Sequence, residues 1–320
     1  MKPQLLLAPL QSYTDHHFRN AFQQVFDGVD QFYAPYLKLA HDGSIKPGPK
    51  IDVLPENNPY APVIPQVMAA TAHDFLHMAG YLTDLGYTEI NWNMGCPYPM
   101  VAKRDLGAGI LDKPEKICRI IEEILPKMNA RLGIKMRMGY ESTADILELL
   151  PRLNDYPITE IIVHARYAKQ LYNGGCDWER FKACIPLTKH TLCYNGDITS
   201  IQEFRELQQL FPEINRWMIG RGAVIDPFLF EMIADNLTYY PEDRLEVFRE
   251  FTDLLLESHL KHSNDGNALN KMKSYWEYFS EAFDDGHKLY KRIKKAKTLR
   301  EYSTAVNEFL TYETAYSYDD

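Results

Sequence analysis

The sequence predicts an α/β fold: a (β/α)8 TIM barrel followed by a small all-helical C-terminal domain. Three observations carry that expectation. Eight short β-type segments alternate with helical ones over roughly three-quarters of the chain, as such a barrel requires. Several of these segments are nearly continuous apolar runs, the pattern of parallel strands covered on both faces. After Pro241 the strand-like runs vanish and helical periodicity takes over. The boundary therefore falls between a barrel at residues 1–240 and a helical unit at residues 241–320. A doubly wound open sheet gives a similar alternation, so the count of eight is what favours the barrel.

In chain order, the expected strands run from Gln4 to Ala8, Gln31 to Tyr36, Val63 to Val67 and Glu89 to Asn93. They continue from Leu132 to Arg137, Glu160 to His164, Leu192 to Asn195 and Trp217 to Gly220. Between them, His73 to Leu85 sets Phe75, Met78, Ala79 and Leu82 at helical spacing. Pro114 to Met128 opens with a proline, which suits a first helical turn because the amide there has no intrahelical partner. Beyond the barrel, Leu245, Phe248, Thr252, Leu255 and His259 form one stripe. Leu269, Met272, Trp276 and Phe279 form a second, and Leu299, Tyr302, Val306 and Phe309 a third, as in a small bundle. His259 and His262 lack a partner at metal-ligand spacing and are expected to be structural or solvated. No coiled-coil seam is visible, so a monomer is expected.

Composition is that of a globular chain: 320 residues, 45% hydrophobic and 25% charged, with mean hydropathy −0.37. No run is apolar enough for a membrane helix, and the opening apolar segment is broken early by Pro9. Five cysteines without a CxxC pair argue against a disulfide framework or a zinc site, and a reducing cytoplasm is the expected compartment. Net charge is −9, from 35 basic and 44 acidic residues. Against that background, seven of the thirteen residues from Lys288 to Arg300 are Lys or Arg, with no acid among them. Such a segment is either a solvated helix face or a surface for a polyanion.

In a barrel, chemistry collects at the carboxyl ends of the strands. Ala8-Pro9 follows the first expected strand, Pro65-Gln66 lies in the third, and Asn93-Met94-Gly95-Cys96-Pro97 follows the fourth. Lys135 and Arg137 lie on the fifth, His164-Ala165-Arg166 ends the sixth, and Asn195-Gly196-Asp197 ends the seventh. The eighth ends in Gly220-Arg221-Gly222. Glycine-rich turns after the last two strands are where barrels hold a phosphate, and Arg221 adds a fixed charge. Cys96, in a rigid Gly-Cys-Pro setting, can act as a proton donor or as a nucleophile. A lysine such as Lys135 on a barrel strand needs an anionic partner, for example a flavin, or serves as a Schiff base.

Together these segments resemble the tRNA-dihydrouridine synthase family. The resemblance runs through LAPLQSYTDHHFR, PVIPQV, INWNMGCPYPMVAKRDLGAGILDKP, IKMRMGY, VHARYAKQLYNGGCDW, YNGDI and MIGRGAVIDPFLF. It implies an FMN-dependent TIM barrel with a helical RNA-binding domain. By that resemblance Ala8 and Pro9 line the flavin, and Gln66, Lys135 and His164 contact it. Asn195, Asp197, Gly220 and Arg221 hold the phosphate end, and Cys96 is the general acid. The implied reaction uses NADPH to reduce FMN, passes hydride from flavin N5 to C6 of a uracil, and protonates C5 from Cys96. The implied partner is tRNA, gripped by Lys103, Arg104, Lys291, Arg292, Lys294 and Lys295. The chain departs from the family pattern at Met100, at Tyr167, at Cys176 and across Tyr33-Ala34-Pro35-Tyr36, departures that bear on how RNA is placed. The competing readings are a flavin reductase of a free pyrimidine or small enone, an RNA-binding protein without catalysis, and a phosphate-binding aldolase using Lys135. The basic C-terminal segment argues against the first, Cys96, Lys135 and both phosphate loops against the second, and the Gly-Cys-Pro loop, which it leaves unexplained, against the third.

Overall fold

Proline 65 splits one strand in two, and the sheet closes at that split. The computed structural model describes residues 2–316, with side chains to residue 311. Its strands are β1 (Gln4–Leu7), β2 (Gln31–Tyr33), β3 (Val63–Ile64), β4 (Gln66–Val67), β5 (Glu89–Met94), β6 (Arg131–Arg137), β7 (Ile158–His164), β8 (Thr191–Asn195) and β9 (Arg216–Ile219). They lie in the order β3-β2-β1-β9-β8-β7-β6-β5-β4, and each paired neighbour is parallel. The two ends of that order, β3 and β4, are halves of one strand. Pro65 has no N–H to give to the ladder, though its carbonyl still accepts from the Asn91 amide at 3.0 Å. Because β3 pairs with β2 and β4 with β5, the cylinder closes across Pro65. All eight expected barrel strands are present.

Alternation along the strands separates two cores. Leu5 and Leu7 join the large core between sheet and helices, while Leu6 and Ala8 join Tyr33, Ile162, Cys193 and Met218 in a separate cluster. Next to that cluster, buried Glu160 accepts from the Tyr33 hydroxyl and, at 2.9 Å, from Arg216 Nε, so the buried charge is paired.

Around the sheet lie α1 (His16–Val25), α2 (Ala72–Asp84), α3 (Pro114–Ile124), α4 (Ile146–Leu153), α5 (Trp178–Cys184), α6 (Ile201–Leu210), α7 (Arg221–Ile225) and α8 (Leu229–Ala234). The expected helix to Met128 stops at Ile124: Leu125 is still helical, but Pro126 has no N–H to give to the Glu122 carbonyl, and the ladder ends there. Four further helices follow: α9 (Arg244–His262), α10 (Asp265–Phe279), α11 (Gly286–Lys295) and α12 (Leu299–Tyr316). Phe251 of α9 packs edge-on against Phe18, Phe22 and Phe26 around α1. Tyr275 of α10 stacks on Phe18 at 5.8 Å and donates its hydroxyl to Tyr13 O at 3.0 Å. One continuous hydrophobic core thus runs from the barrel helices into the C-terminal ones, and it carries α10 to the barrel mouth. His259 packs its ring against His17 and Tyr275 there.

Candidate active site

The carboxyl ends of the strands surround one cavity. Ala8, Pro9, Cys96, Lys135, His164, Asn195, Asp197, Gly220 and Arg221 all line it, so nine of the ten expected cofactor and catalytic positions converge. Gln66 is the tenth, and it lies behind the wall, fully buried. Its amide nitrogen donates to Asn91 Oδ1 at 2.8 Å, and its oxygen accepts from Asn93 Nδ2 at 2.9 Å. With its polar atoms so engaged, Gln66 fixes Asn93 instead of facing the cavity.

Asn93 in turn builds the cysteine loop. Its oxygen accepts from the backbone amides of Gly95 and Cys96, each at 3.1 Å, which turns the chain as it leaves β5. The loop then folds back: the Ala108 amide donates to Cys96 O at 2.9 Å. That return needs glycine on both sides. Gly107 has φ +56°, and a Cβ there would stand 2.7 Å from Cys96 Cβ. At Gly109 a Cβ would stand 2.1 Å from Ala102 O. The LGAG motif is therefore the brace that presents Cys96, only 8% exposed, to the cavity.

Much of the remaining lining is cationic. Lys135 Nζ donates to Asn195 Oδ1 at 2.8 Å, and the Asn195 amide is oriented by donating to Met218 O at 2.8 Å. Burial and the nearby charge of Arg137 push Lys135 down to about 8. Burial, reinforced by Arg137, Lys135, Arg166 and Arg221, holds His164 well below its ordinary value, so its imidazole is neutral at pH 7. Buried Arg166 grips Asp197 with both terminal guanidinium nitrogens and donates to Gly174 O at 2.7 Å. Arg221 Nη2 reaches Asp197 Oδ1 at 2.7 Å. Burial alone would raise the Asp197 carboxyl, but the two arginines hold it below the usual carboxylate range. Asp197 thus acts on whatever lies in the cavity by fixing two arginines.

Sequence reasoning left several lining residues without a role. Arg137 faces the cavity while donating to the carbonyls of Tyr167 and Leu171 at 2.9 and 2.6 Å. The Tyr172 ring sits under two guanidinium groups, 5.2 Å from Arg137 and 4.5 Å from Arg221. Tyr98 and Tyr172 stand on loops after β5 and β7, and Tyr278 arrives from the C-terminal helix α10. The basic residues expected to meet RNA lie elsewhere. Lys103 and Arg104 are exposed just after the turn Pro99–Ala102, outside the cavity. On α11, Leu289 and Ile293 are buried while Lys291, Arg292, Lys294 and Lys295 face solvent. Arg292 pairs with Glu308; the three lysines have no carboxylate partner among the described residues. Among those residues, too, no helix is long and apolar enough to cross a membrane, and no cluster of three His, Cys, Asp or Glu could hold a metal.

Three comparisons place the chain among known proteins. It is 26% identical to a tRNA-dihydrouridine(16) synthase of Neisseria meningitidis, over 96% of this chain and 95% of that one. It is 27% identical to the human tRNA-dihydrouridine(47) synthase [NAD(P)(+)]-like, but over 52% of this chain and 26% of that one. The old yellow enzyme homologue of Zymomonas mobilis shares the fold at TM-score 0.55 and 10% identity, over 78% of this chain and 95% of that one. The model of the family described as dihydrouridine synthase (Dus) matches residues 6–314, and the chain belongs to that oxidoreductase family.

Proposed function

We propose that this chain reduces a uridine of tRNA to 5,6-dihydrouridine, at position 16, with FMN as cofactor and NADPH as reductant. The carrying observation is one cavity lined by a thiol, three cationic side chains and the hydrogen-bonded amides of Asn93 and Asn195. The position follows the name of the relative that matches from end to end. The residues present fit FMN. Lys135, Arg137 and Arg221 bring three cations to the lining against one carboxylate, Asp197, which two guanidinium groups already hold. An anionic phosphate and an electron-rich ring balance that excess.

In this reading Asn195, Gly220 and Arg221 hold the phosphate end, with Asp197 steadying Arg221. Ala8 and Pro9 pack on the ring, Lys135 and neutral His164 hydrogen-bond its polar edge, and Gln66 supports it from behind through Asn93. The chemistry that bound FMN supplies is a hydride, drawn from NADPH and destined for C6 of the uracil. Cys96 gives its thiol proton to C5, and the braced loop keeps sulfur and base in one geometry. Tyr98, Tyr172 and Tyr278 offer flat faces to a base that has left its stack. Residues 1–240 form the catalytic unit and residues 241–320 the RNA-gripping unit. Lys291, Arg292, Lys294 and Lys295 meet phosphates, with Lys103 and Arg104 near the cysteine loop.

The test is dihydrouridine mapped by position in tRNA lacking the modification, after incubation with protein, FMN and NADPH. Product at position 16 is expected. Cys96→Ala should keep its flavin and its NADPH oxidation while product formation falls on the order of 10²–10⁴-fold. Reduction of free pyrimidines or enones with no product in any tRNA would replace the reading with a small-molecule reductase.

A further inference from the structure

We propose that the Tyr36 hydroxyl is a positioning group for Cys96, donating a hydrogen bond to its sulfur as the thiol gives up its proton. The inference rests on the reading of Cys96 as proton donor. Tyr36 Oη lies 3.6 Å from Cys96 Sγ, a hydrogen-bond distance for sulfur, and among the described residues no other side chain hydrogen-bonds the sulfur. Both residues are 8% exposed. With Met68 they form a small cluster of their own, separate from the barrel cores, against which Val101 and Leu106 pack.

Chemistry makes such a contact useful there. Proton donation leaves charge on a nearly buried sulfur that packs with Met68, Val101 and Leu106 on one side and borders the cavity on the other, where an anion without a hydrogen-bond donor is costly. A single fixed donor lowers that cost at the moment the charge develops. The phenol is fit to donate without surrendering its own proton, because burial and the neighbouring thiol push Tyr36 well above the usual tyrosine range. In the step, the Cys96 S–H bond breaks, a C–H bond forms at C5, and the electron pair stays on sulfur. The phenolic O–H stays intact, and water reprotonates the sulfur once product has left. The hydride delivered to C6 comes from the reduced flavin of the reading above.

The backbone holds Tyr36 as a positioning group must be held. On one side the Ala34 amide donates to Ile64 O at 3.1 Å, and on the other the Leu37 amide donates to Gln66 O at 2.7 Å. Pro35, with its restricted φ, lies between them. Lys38 Nζ stands 5.5 Å from the ring centroid, a further contact on the ring.

Tyr36→Phe in the flavin-loaded enzyme removes one oxygen. Flavin content, the rate of flavin reduction by NADPH, the KM for tRNA and the single-turnover rate of uridine reduction are then measured. The expected result is a single-turnover rate slower on the order of tenfold, with the other three unchanged. In a Cys96→Ala background the same change should have no further effect on the residual rate, because the two groups act as a unit. An unchanged rate, a rise in KM alone, an additive loss in the double variant, or loss of flavin would each overturn the proposal. If Cys96→Ala itself reduces uridine at the native rate, the proton-donor reading fails first and the role of Tyr36 fails with it.

Discussion

Two sets of cations on this molecule carry the same charge and are built in opposite ways. Those of the cavity wall are held: Lys135 by Asn195, Arg137 by two carbonyls, and Arg221 by Asp197, which Arg166 fixes from behind. Those on the outer face of α11 are free of carboxylates: Lys291, Lys294 and Lys295 stand in solvent with no acidic partner among the described residues, Lys294 having only the Tyr290 ring 5.8 Å away. In the cavity, low effective dielectric makes each charge strong and the fixed geometry selects one ligand. On the helix, water and salt weaken each charge, and affinity for an extended polyanion comes from their number. In the proposed reading that difference separates two tasks: holding a small cofactor in one pose, and gripping a large RNA whose register is set elsewhere.

A single charge reversal on each side is the sharpest way to break this comparison. Arg221→Glu puts a second carboxylate beside Asp197, where the wall is built for an anion. FMN affinity should fall on the order of a hundredfold or more, measured by titration of the flavin-stripped protein. Lys294→Glu reverses the same charge on the exposed face. There tRNA affinity should change by about threefold at physiological salt, because solvent and neighbouring cations share the load. Equal losses from the two variants would mean that the distinction between held and free cations has no functional content.

Reversing all four residues together, Lys291, Arg292, Lys294 and Lys295, tests whether the free set acts by number. The slope of log Kd for tRNA against log salt should flatten by about 0.7–0.9 for each phosphate that is no longer neutralised, while FMN affinity stays as it was. A salt slope identical to that of the native chain would remove α11 from the RNA-binding surface.

The two sets are not equally legible in the sequence. The strands are, because several carry an apolar run and all alternate with helical segments, and with the strands comes the mouth of the barrel. Cys96, Lys135, His164, Asn195 and Arg221 can be placed there from position alone. The split at Pro65 leaves no such signal, since a missing N–H breaks the ladder without diverting the chain. The family resemblance implies a place for Gln66 at the flavin, yet an amide's role depends on which amides it meets, and here Asn91 and Asn93 occupy it. Tyr36, Tyr172 and Tyr278 reach the cavity through loop return and helix docking. Neither leaves a periodic trace. The basic run on α11 is visible as composition, and its amphipathic spacing puts Leu289 and Ile293 inward.

The smallest effect tests how far the wall depends on its anion. Lys135 sits at about 8, pushed down by burial and by Arg137, against about 10.4 for an unperturbed lysine. Between those values the unfolded chain holds a proton that the folded, ligand-free chain has released, so stability rises with pH across that window. Below about 8 the cost of the buried charge is present in full. An anion beside Lys135 reverses the bias and draws the proton back. FMN binding at pH 8.5 to 9 should therefore take up a fraction of a proton, read from binding enthalpies in buffers of different ionisation heat. Lys135→Met should abolish that uptake and, below pH 8, raise the melting temperature of the flavin-free protein by about 2–4 °C. Uptake that persists in the methionine variant would assign the proton to another group and leave Lys135 as a spectator of the cavity charge.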